Sequence, residues 1–434
     1  MSKITRGILA LLALCGLSLL LLNCGSTVNR TSGLLYALIQ GTNQVSSYAI
    51  NLTSGSLSLI NSKAATCASG SNCGVPLDII LDSTSANAFV LNKGAFNSAG
   101  GSPIAPSIYG YKVGSDGSLG SGTDLTTGAS VFTAGDLAAG MVRDSAGQFL
   151  FVITEGNQAI PVSNSLCAIG TPATQGVLCA QLYVFSISSG TLSLVKATTL
   201  TFVPTSLAVN TFSSQTMLYI TGNQDLNTTA PHVDSSLHQY TVDSSGNVVE
   251  KFDPAITQYQ LPYATAGDPG AVLSLTTAPI GGSAGTFVYV ASATAGSLST
   301  FQLCTVQNAD CAATDVTNFR LVPVGTPPTV GSNPIAMVVD PTQSFLYIVA
   351  KNSDRVFGFR INGTQGTLTA LSPASLNTGA TPLSIAMHST GKFLFVSNNG
   401  SANISSYVLN TTSGSMSSPL TITSLANPAG LWSK

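Results

Sequence analysis

From residue 33 onward, apolar runs alternate with short polar turns. FLFVITEGN (149–157), FLYIVAKN (345–352) and FLFVSNNG (393–400) are rich in β-branched and aromatic residues, and each predicts a strand. Ahead of the last two lie the apolar runs IAMVVD (335–340) and LSIAMH (383–388). The polar turns DPTQS and HSTGK join each pair of runs, and DSAGQ (144–148) does the same before FLFVITEGN. Behind each pair comes an aromatic residue, an aliphatic residue two positions on, a turn with Gly, and a further apolar strand.

That third segment recurs seven times. Its aromatics are Tyr48, Tyr111, Phe185, Tyr240, Phe301, Phe359 and Tyr407. Their aliphatic partners are Ile50, Val113, Ile187, Val242, Leu303, Ile361 and Leu409. Residues two apart share one side of a strand, so each copy presents a ring and a branched chain to one buried face. The Ser-Gly, Asp-Gly and Gln-Gly pairs that follow suit a tight turn needing positive φ. Each unit is thus expected to hold four antiparallel strands. The fifth is the most degenerate, with an insertion after AVLSLTTA (271–278).

Repeated four-stranded sheets predict an all-β fold, a seven-bladed β-propeller. NPAGLWSK (427–434) repeats the opening of NPIAMVVD (333–340), a first strand with no second. GLLYALIQGT (33–42) opens the repeats already at a second strand. The C-terminal strand is therefore expected to pair with the N-terminal blade and close the ring. A pair of β-sandwiches or an open solenoid would leave that half-unit without a partner and expose sheet edges.

These residues carry a family resemblance. PIAMVVDPTQSFLYI (334–348) and PLSIAMHSTGKFLFV (382–396), with SSYVLNTTSGSM (405–416) behind, resemble the repeats of seven-bladed lactonase propellers of the 6-phosphogluconolactonase type and of YVTN-type surface propellers. The resemblance spans about 33 to 434 and implies the propeller fold. For function it implies lactone hydrolysis, a carboxylic ester hydrolase activity, only as one reading. Enzymes of that family carry His or Arg just after the proline of some innermost strands. Here those places hold Leu77, Thr205, Gly270, Ile335, Leu383 and Ala429, so no catalytic residue is carried over.

Composition narrows the classes. Charged residues are 7% of the chain against about 25% in ordinary soluble proteins, and the net charge is −2 with no basic run. Both facts argue against nucleic acid as a partner. Residues 1–24 read as a signal peptide: Lys3 and Arg6, then an apolar run from Ile8 to Leu22. That run is shorter than the roughly 20 residues needed to cross a bilayer. It ends in Leu21-Leu22-Asn23-Cys24-Gly25, which resembles a bacterial lipobox and implies lipidation of Cys24. Ordinary cleavage near the same place is the alternative. Residues 25–32 would be a short linker and 33–434 the propeller. The remaining cysteines form local pairs, Cys67 with Cys73, Cys167 with Cys179 and Cys304 with Cys311, which fits disulfides in an oxidising compartment. No metal-binding spacing accompanies them. The expected location is the cell envelope, as an outer-membrane lipoprotein or in the periplasm or outside.

In a propeller the connections between second and third strands share a face with the links between blades. Here they include the long stretches 92–107, 153–181 and 221–236, with the Cys67–Cys73 and Cys167–Cys179 loops beside them. Long loops on a rigid scaffold are where binding concentrates. Candidates for acid–base work on this face are Glu155, Asp225 and His232; for holding a ligand, Lys93, Asn223, Lys351, Asp354 and Arg355. Asn157 shares the face. Each has a structural reading too, as an exposed turn charge or a turn cap. His388 stands where other units have Asp82, Asp144 or Asp340 and reads as structural. His238 falls beside Tyr240 and reads as packed or solvated. Nucleophile elbows, zinc motifs, Walker loops, dinucleotide fingerprints and calcium loops are absent from the sequence. The expectation is a monomeric, cofactor-free, exported propeller. It touches the membrane only through its lipid anchor and binds a small molecule, glycan or protein through its long-loop face. Lactone hydrolysis is the alternative.

Overall fold

The computed structural model describes residues 33–64, 74–95, 103–126, 131–134, 136–156, 179–200, 202–212, 215–225, 236–251, 259–260, 272–279, 286–293, 295–305, 307, 311–313, 319–423 and 425–434. Seven antiparallel sheets follow one another along the chain. Blade 2 comprises Pro76–Leu81, Asn87–Asn92, Ser107–Lys112 and Thr123–Asp124. Blade 3 comprises Ala138–Arg143, Phe149–Thr154, Gln181–Ser188 and Thr191–Thr199. Blades 4 to 7 begin at Phe202, Val272, Pro334 and Pro382. Blade 4 carries a fifth short strand, Tyr259–Gln260.

Blade 1 is assembled from both ends of the repeat region. Its innermost strand is Pro428–Ser433, followed outward by Gly33–Ile39, Gln44–Ile50 and Leu57–Ala64. Tyr36 lies opposite Trp432 and Ala37 opposite Leu431. Backbone bonds extend the ladder in both directions: Leu34 and Lys434 exchange two at 2.8 and 2.9 Å, and Gln40 N–H donates to the Asn427 carbonyl at 3.0 Å. The closure expected from the half-unit NPAGLWSK is therefore the one formed.

The alternating pattern becomes two packed faces per blade. Seven apolar clusters each draw from two adjacent blades, the last joining Ala386, Phe393 and Phe395 of blade 7 to Leu35, Ala37 and Leu431 of blade 1. All seven repeat aromatics are buried, as are five of their aliphatic partners; Val113 and Ile187 are half-buried. The turn glycines have a second use beyond positive φ. Tyr289 and Tyr347, on second strands, donate through their hydroxyls to the carbonyls of Gly366 and Gly414 in the next blade, at 2.9 and 2.6 Å. Those glycines have φ of 68° and 76°. A Cβ on Gly414 would come within 2.3 Å of the Phe345 ring. The turn must be bare because the neighbouring blade presses on it.

Cys304 and Cys311 form a disulfide with Cα atoms 5.5 Å apart. Cys179 is also disulfide-bonded. Cys67, Cys73 and Cys167 lie outside the described residues, as do Cys24 and the apolar segment before it. Among the described residues no helix is long and apolar enough to cross a membrane.

Removing residues 428–434 takes away the inner strand of blade 1 and should abolish cooperative unfolding followed by circular dichroism. The milder Leu431→Ala, at a side chain 7% exposed, should cost about 2–4 kcal/mol in denaturant titration. A truncated chain that melts like the full one would show that the ring does not depend on this strand.

Candidate functional site

Each innermost strand carries the same irregularity near its start. Pro76 opposes Asn92, but Asp78 opposes Leu91, so one residue is skipped. The same shift occurs in the other six blades. Such a bulge bends the strand and re-aims the next side chain. The residue re-aimed is Gly430, Asp78, Gly140, Ser206, Ala336 or Ser384 in blades 1 to 4, 6 and 7, and Ser274 holds the same register in blade 5. Six of these are small and uncharged. Blade 2 alone places a carboxyl there.

Where the contacts are described, this position faces the next blade's innermost strand. Ser384 Oγ accepts from Leu431 N–H at 3.2 Å. A Cβ on Gly140 would lie 2.8 Å from Leu207 Cδ2. Asp78 follows the rule: its Oδ2 accepts from Met141 N–H of blade 3 at 3.3 Å, and its Oδ1 from Ile79 N–H at 2.8 Å. Burial pushes its carboxyl up to about 6, although the Ile79 and Met141 N–H groups pull the other way. It remains half-buried rather than sealed.

Above Asp78, the same seam between blades 2 and 3 carries the predicted residues Lys93 and Glu155. Both hold the place just after a second strand. In that place the backbone N–H pairs with the entry to the innermost strand of its own blade: Lys93 with Val75 at 2.9 Å, Glu155 with Leu137 at 2.8 Å, Lys351 with Asn333 at 2.8 Å. Lys93 is gripped a second time, its carbonyl accepting from Ala138 N–H of blade 3 at 2.9 Å. Side chains at this place run around the ring toward the next blade. Gln40 of blade 1 reaches the Pro76 carbonyl at 3.1 Å, and Asn399 of blade 7 reaches the Pro428 carbonyl at 3.4 Å. Lys93 instead meets a charge, with Nζ 3.4 Å from Glu155 Oε1. Both side chains are partly open to solvent, 35% and 23% exposed.

Asp136 sits beneath this pair, 2% exposed. Its Oδ1 accepts from Leu137 N–H at 2.8 Å and Gly156 N–H at 3.0 Å, which ties the residue after Glu155 to Leu137, the backbone partner of Glu155. Burial raises its carboxyl to about 6, and the Glu155 charge adds to the rise.

The other predicted residues do not join this group. Lys351 occupies the equivalent place in blade 6, across the ring. Asp354, at φ 50°, accepts from Thr381 N–H at 2.8 Å and so fastens blade 6 to the entry of blade 7. Arg355 is exposed at the start of a third strand, opposite Ala350 and Asn377. Asn223 and Asp225 end the second strand of blade 4, Gln215–Asp225, and their side chains lie outside the described set. His232 and Asn157 lie wholly outside the described residues. His238 stacks on Phe202 with ring centroids 3.6 Å apart and contacts Glu250 at 2.8 Å, a packed arrangement. His388 N–H bonds the Phe393 carbonyl as Asp340 N–H bonds Phe345. Burial holds its imidazole below the ordinary value, while a bond to the Lys434 backbone opposes that.

Sequence reasoning missed Asp78 and Asp136. Inspection of the residue directly after each proline stops one short, because the bulge makes the second residue the one that is aimed. Aligning the seven copies would have shown a single acid in a column of Gly, Ser and Ala. Asp136 had no comparable signal. It precedes its strand in a link whose sequence differs among the blades.

Comparison with known proteins places this geometry. The model of the lactonase family, described as a seven-bladed beta-propeller, matches residues 282–429, which run from between the first and second strands of blade 5 into the closing strand and exclude the seam of blades 2 and 3. The periplasmic gluconolactonase of Pseudomonas aeruginosa is 16% identical, with a TM-score of 0.63 over 93% of this chain and 98% of that one. A Bacteroides fragilis protein described as a candidate 6-phosphogluconolactonase is 14% identical, with a TM-score of 0.62 over 94% and 99%. A Lactobacillus plantarum protein is 13% identical, with a TM-score of 0.63 over 93% and 100%. At these identities the likeness is one of fold. No curated protein matches significantly.

The burial of Asp136 makes a pH-dependent prediction. Unfolded, its carboxyl loses the proton near 3.8; folded, only near about 6. Between those values the folded state holds the extra proton, so its contribution to stability falls as pH rises from about 4 to 6 and stays lost above. Asp136→Asn keeps an acceptor for Leu137 and Gly156 without the charge. It should be more stable than wild type by about 2–3 kcal/mol at pH 8, with the advantage shrinking toward pH 4, in urea titrations. An equal difference at both pH values would contradict a buried carboxylate there.

Proposed function

We propose that this lactonase-like propeller is an exported cell-envelope protein that binds a small polar ligand on its long-loop face, at the seam of blades 2 and 3. The observation that carries the reading is the convergence of Lys93, Glu155 and Asp136 on that seam, while the other described candidates are engaged elsewhere or scattered. In a chain with 7% charged residues, three ionisable groups on one seam are a concentration. Lys93, its backbone held on both sides, can offer its ammonium to a carboxylate, carbonyl or hydroxyl oxygen, and Glu155 can accept from hydroxyls. Sugar acids and their lactones combine those groups. The Cys304–Cys311 disulfide supports an oxidising compartment, and the similarity to a periplasmic protein points the same way. In this reading Cys24 carries the lipid anchor, and Cys24→Ser should shift the protein from the membrane to the soluble fraction.

Hydrolysis of a lactone is the second reading, favoured by the family match over residues 282–429. It requires a group able to move a proton near the ligand.

Titration calorimetry with gluconate tests the site. Lys93→Ala should weaken binding about tenfold or more, the scale of one lost charge-assisted contact, with the melting temperature little changed. Lys351→Ala, across the ring, should leave affinity as in wild type. Equal effects of the two substitutions would move the ligand away from the seam.

A further inference from the structure

Asp78 is an ionisable group of this seam that ligand binding at the rim leaves unused. We propose that Asp78 is the proton-transferring carboxylate of a hydrolytic site at the seam of blades 2 and 3, acting on a cyclic ester held above it by Lys93 and Glu155. This rests on the ligand site just described and gives it a reaction.

Position comes first. Lys93 pairs with Val75, and Asp78 lies three residues further along, roughly 10 Å at the rise of a strand. That is about the reach of a sugar-derived lactone with its ring carbonyl at Asp78 and its far hydroxyls hydrogen-bonded at Lys93 and Glu155. Glu155 pairs with Leu137, and Met141, the partner of Asp78, continues the same strand inward. Rim and carboxyl therefore lie on one seam, between the same two strands.

Chemistry comes second. Packing does not require an acid at this place, since six blades fill it with Gly, Ser or Ala, and in blade 7 Ser384 makes the equivalent bond to the next strand. The Met141 and Ile79 N–H groups fix the carboxyl's orientation, and each oxygen keeps a second lone pair. The charged side chain on the neighbouring innermost strand, Arg143, turns to the carbonyls of Leu81 and Asp144 and does not neutralise Asp78. A carboxyl titrating near about 6 is well matched to giving and taking protons near neutral pH.

The step balances without any other reactant. The Asp78 carboxylate takes a proton from water as the water oxygen bonds to the ester carbonyl carbon. The ring C–O bond then breaks, and the departing alkoxide takes the proton back from the Asp78 carboxylic acid. Ester and water become a hydroxy acid, and Asp78 is regenerated.

The experiment pairs Asp78→Ser with Asp78→Asn, using δ-gluconolactone for turnover above its spontaneous rate and gluconate for binding. Serine copies the seam bond that Ser384 makes, so Asp78→Ser should melt close to wild type. Both variants should lose about 100-fold or more in kcat, the usual scale of general acid–base catalysis, while still binding gluconate. The rise of wild-type kcat/KM through pH 6 should vanish with them. Wild-type turnover retained by Asp78→Ser would make Asp78 a seam clip only and overturn the proposal. Gluconate binding without any wild-type turnover would overturn it too, yet leave the ligand site standing. Absence of both binding and turnover would remove the ligand site and, with it, the role of Asp78.

Discussion

The pairing of Pro428–Ser433 with Gly33–Ile39 is the constraint on which the molecule rests. A blade buries its two faces only against two neighbours. An open row of seven would leave an apolar face uncovered at each end. Joining residues nearly four hundred positions apart turns those faces into a seventh interface, the cluster containing Leu35, Phe393 and Leu431. The cost is the entropy of closing a very long loop, but that cost grows only logarithmically with length. One ladder of backbone bonds and one apolar interface suffice to offset it.

Closure also decides what the innermost strands can do. Once the ring is shut, their inner edges have no further strand to pair with. In two seams the N–H just past the bulge is met by a side chain from the preceding blade, as Ser384 meets Leu431 and Asp78 meets Met141. This explains the run of small residues at that place, where the seam leaves little room. It also explains why an acid there is both crowded and oriented. Chemistry at the seam thus uses a position that the architecture already requires.

The rim works on the same principle. In blades 1, 2, 3, 6 and 7 the residue after the second strand is held by its backbone, whatever its side chain. Gln40 and Asn399 use that place to reach a neighbouring carbonyl, and Lys93 uses it to reach Glu155. A common backbone position with varied side chains lets one seam differ from the others without altering the ring. It also explains why Lys351, in the same place, stands apart.

The sequence alone determined the strand count per unit, the seven repeats, the closing strand and the buried aromatics. These follow from local periodicity and turn chemistry, which are written along the chain. It also indicated the face of the long loops, and so Lys93 and Glu155 among its candidates. The tertiary structure alone decided which charges meet. Lys93 and Glu155 are 62 residues apart, and Asp78 and Met141 are 63. Their contacts depend on blade order and on a bulge that shifts the aimed residue by one. Asp354 likewise reads in sequence as an exposed charge, and only the packing of blade 7 beside blade 6 turns it into a fastening between blades. Periodicity tells which side of a strand a residue occupies; only the closed ring tells what stands opposite.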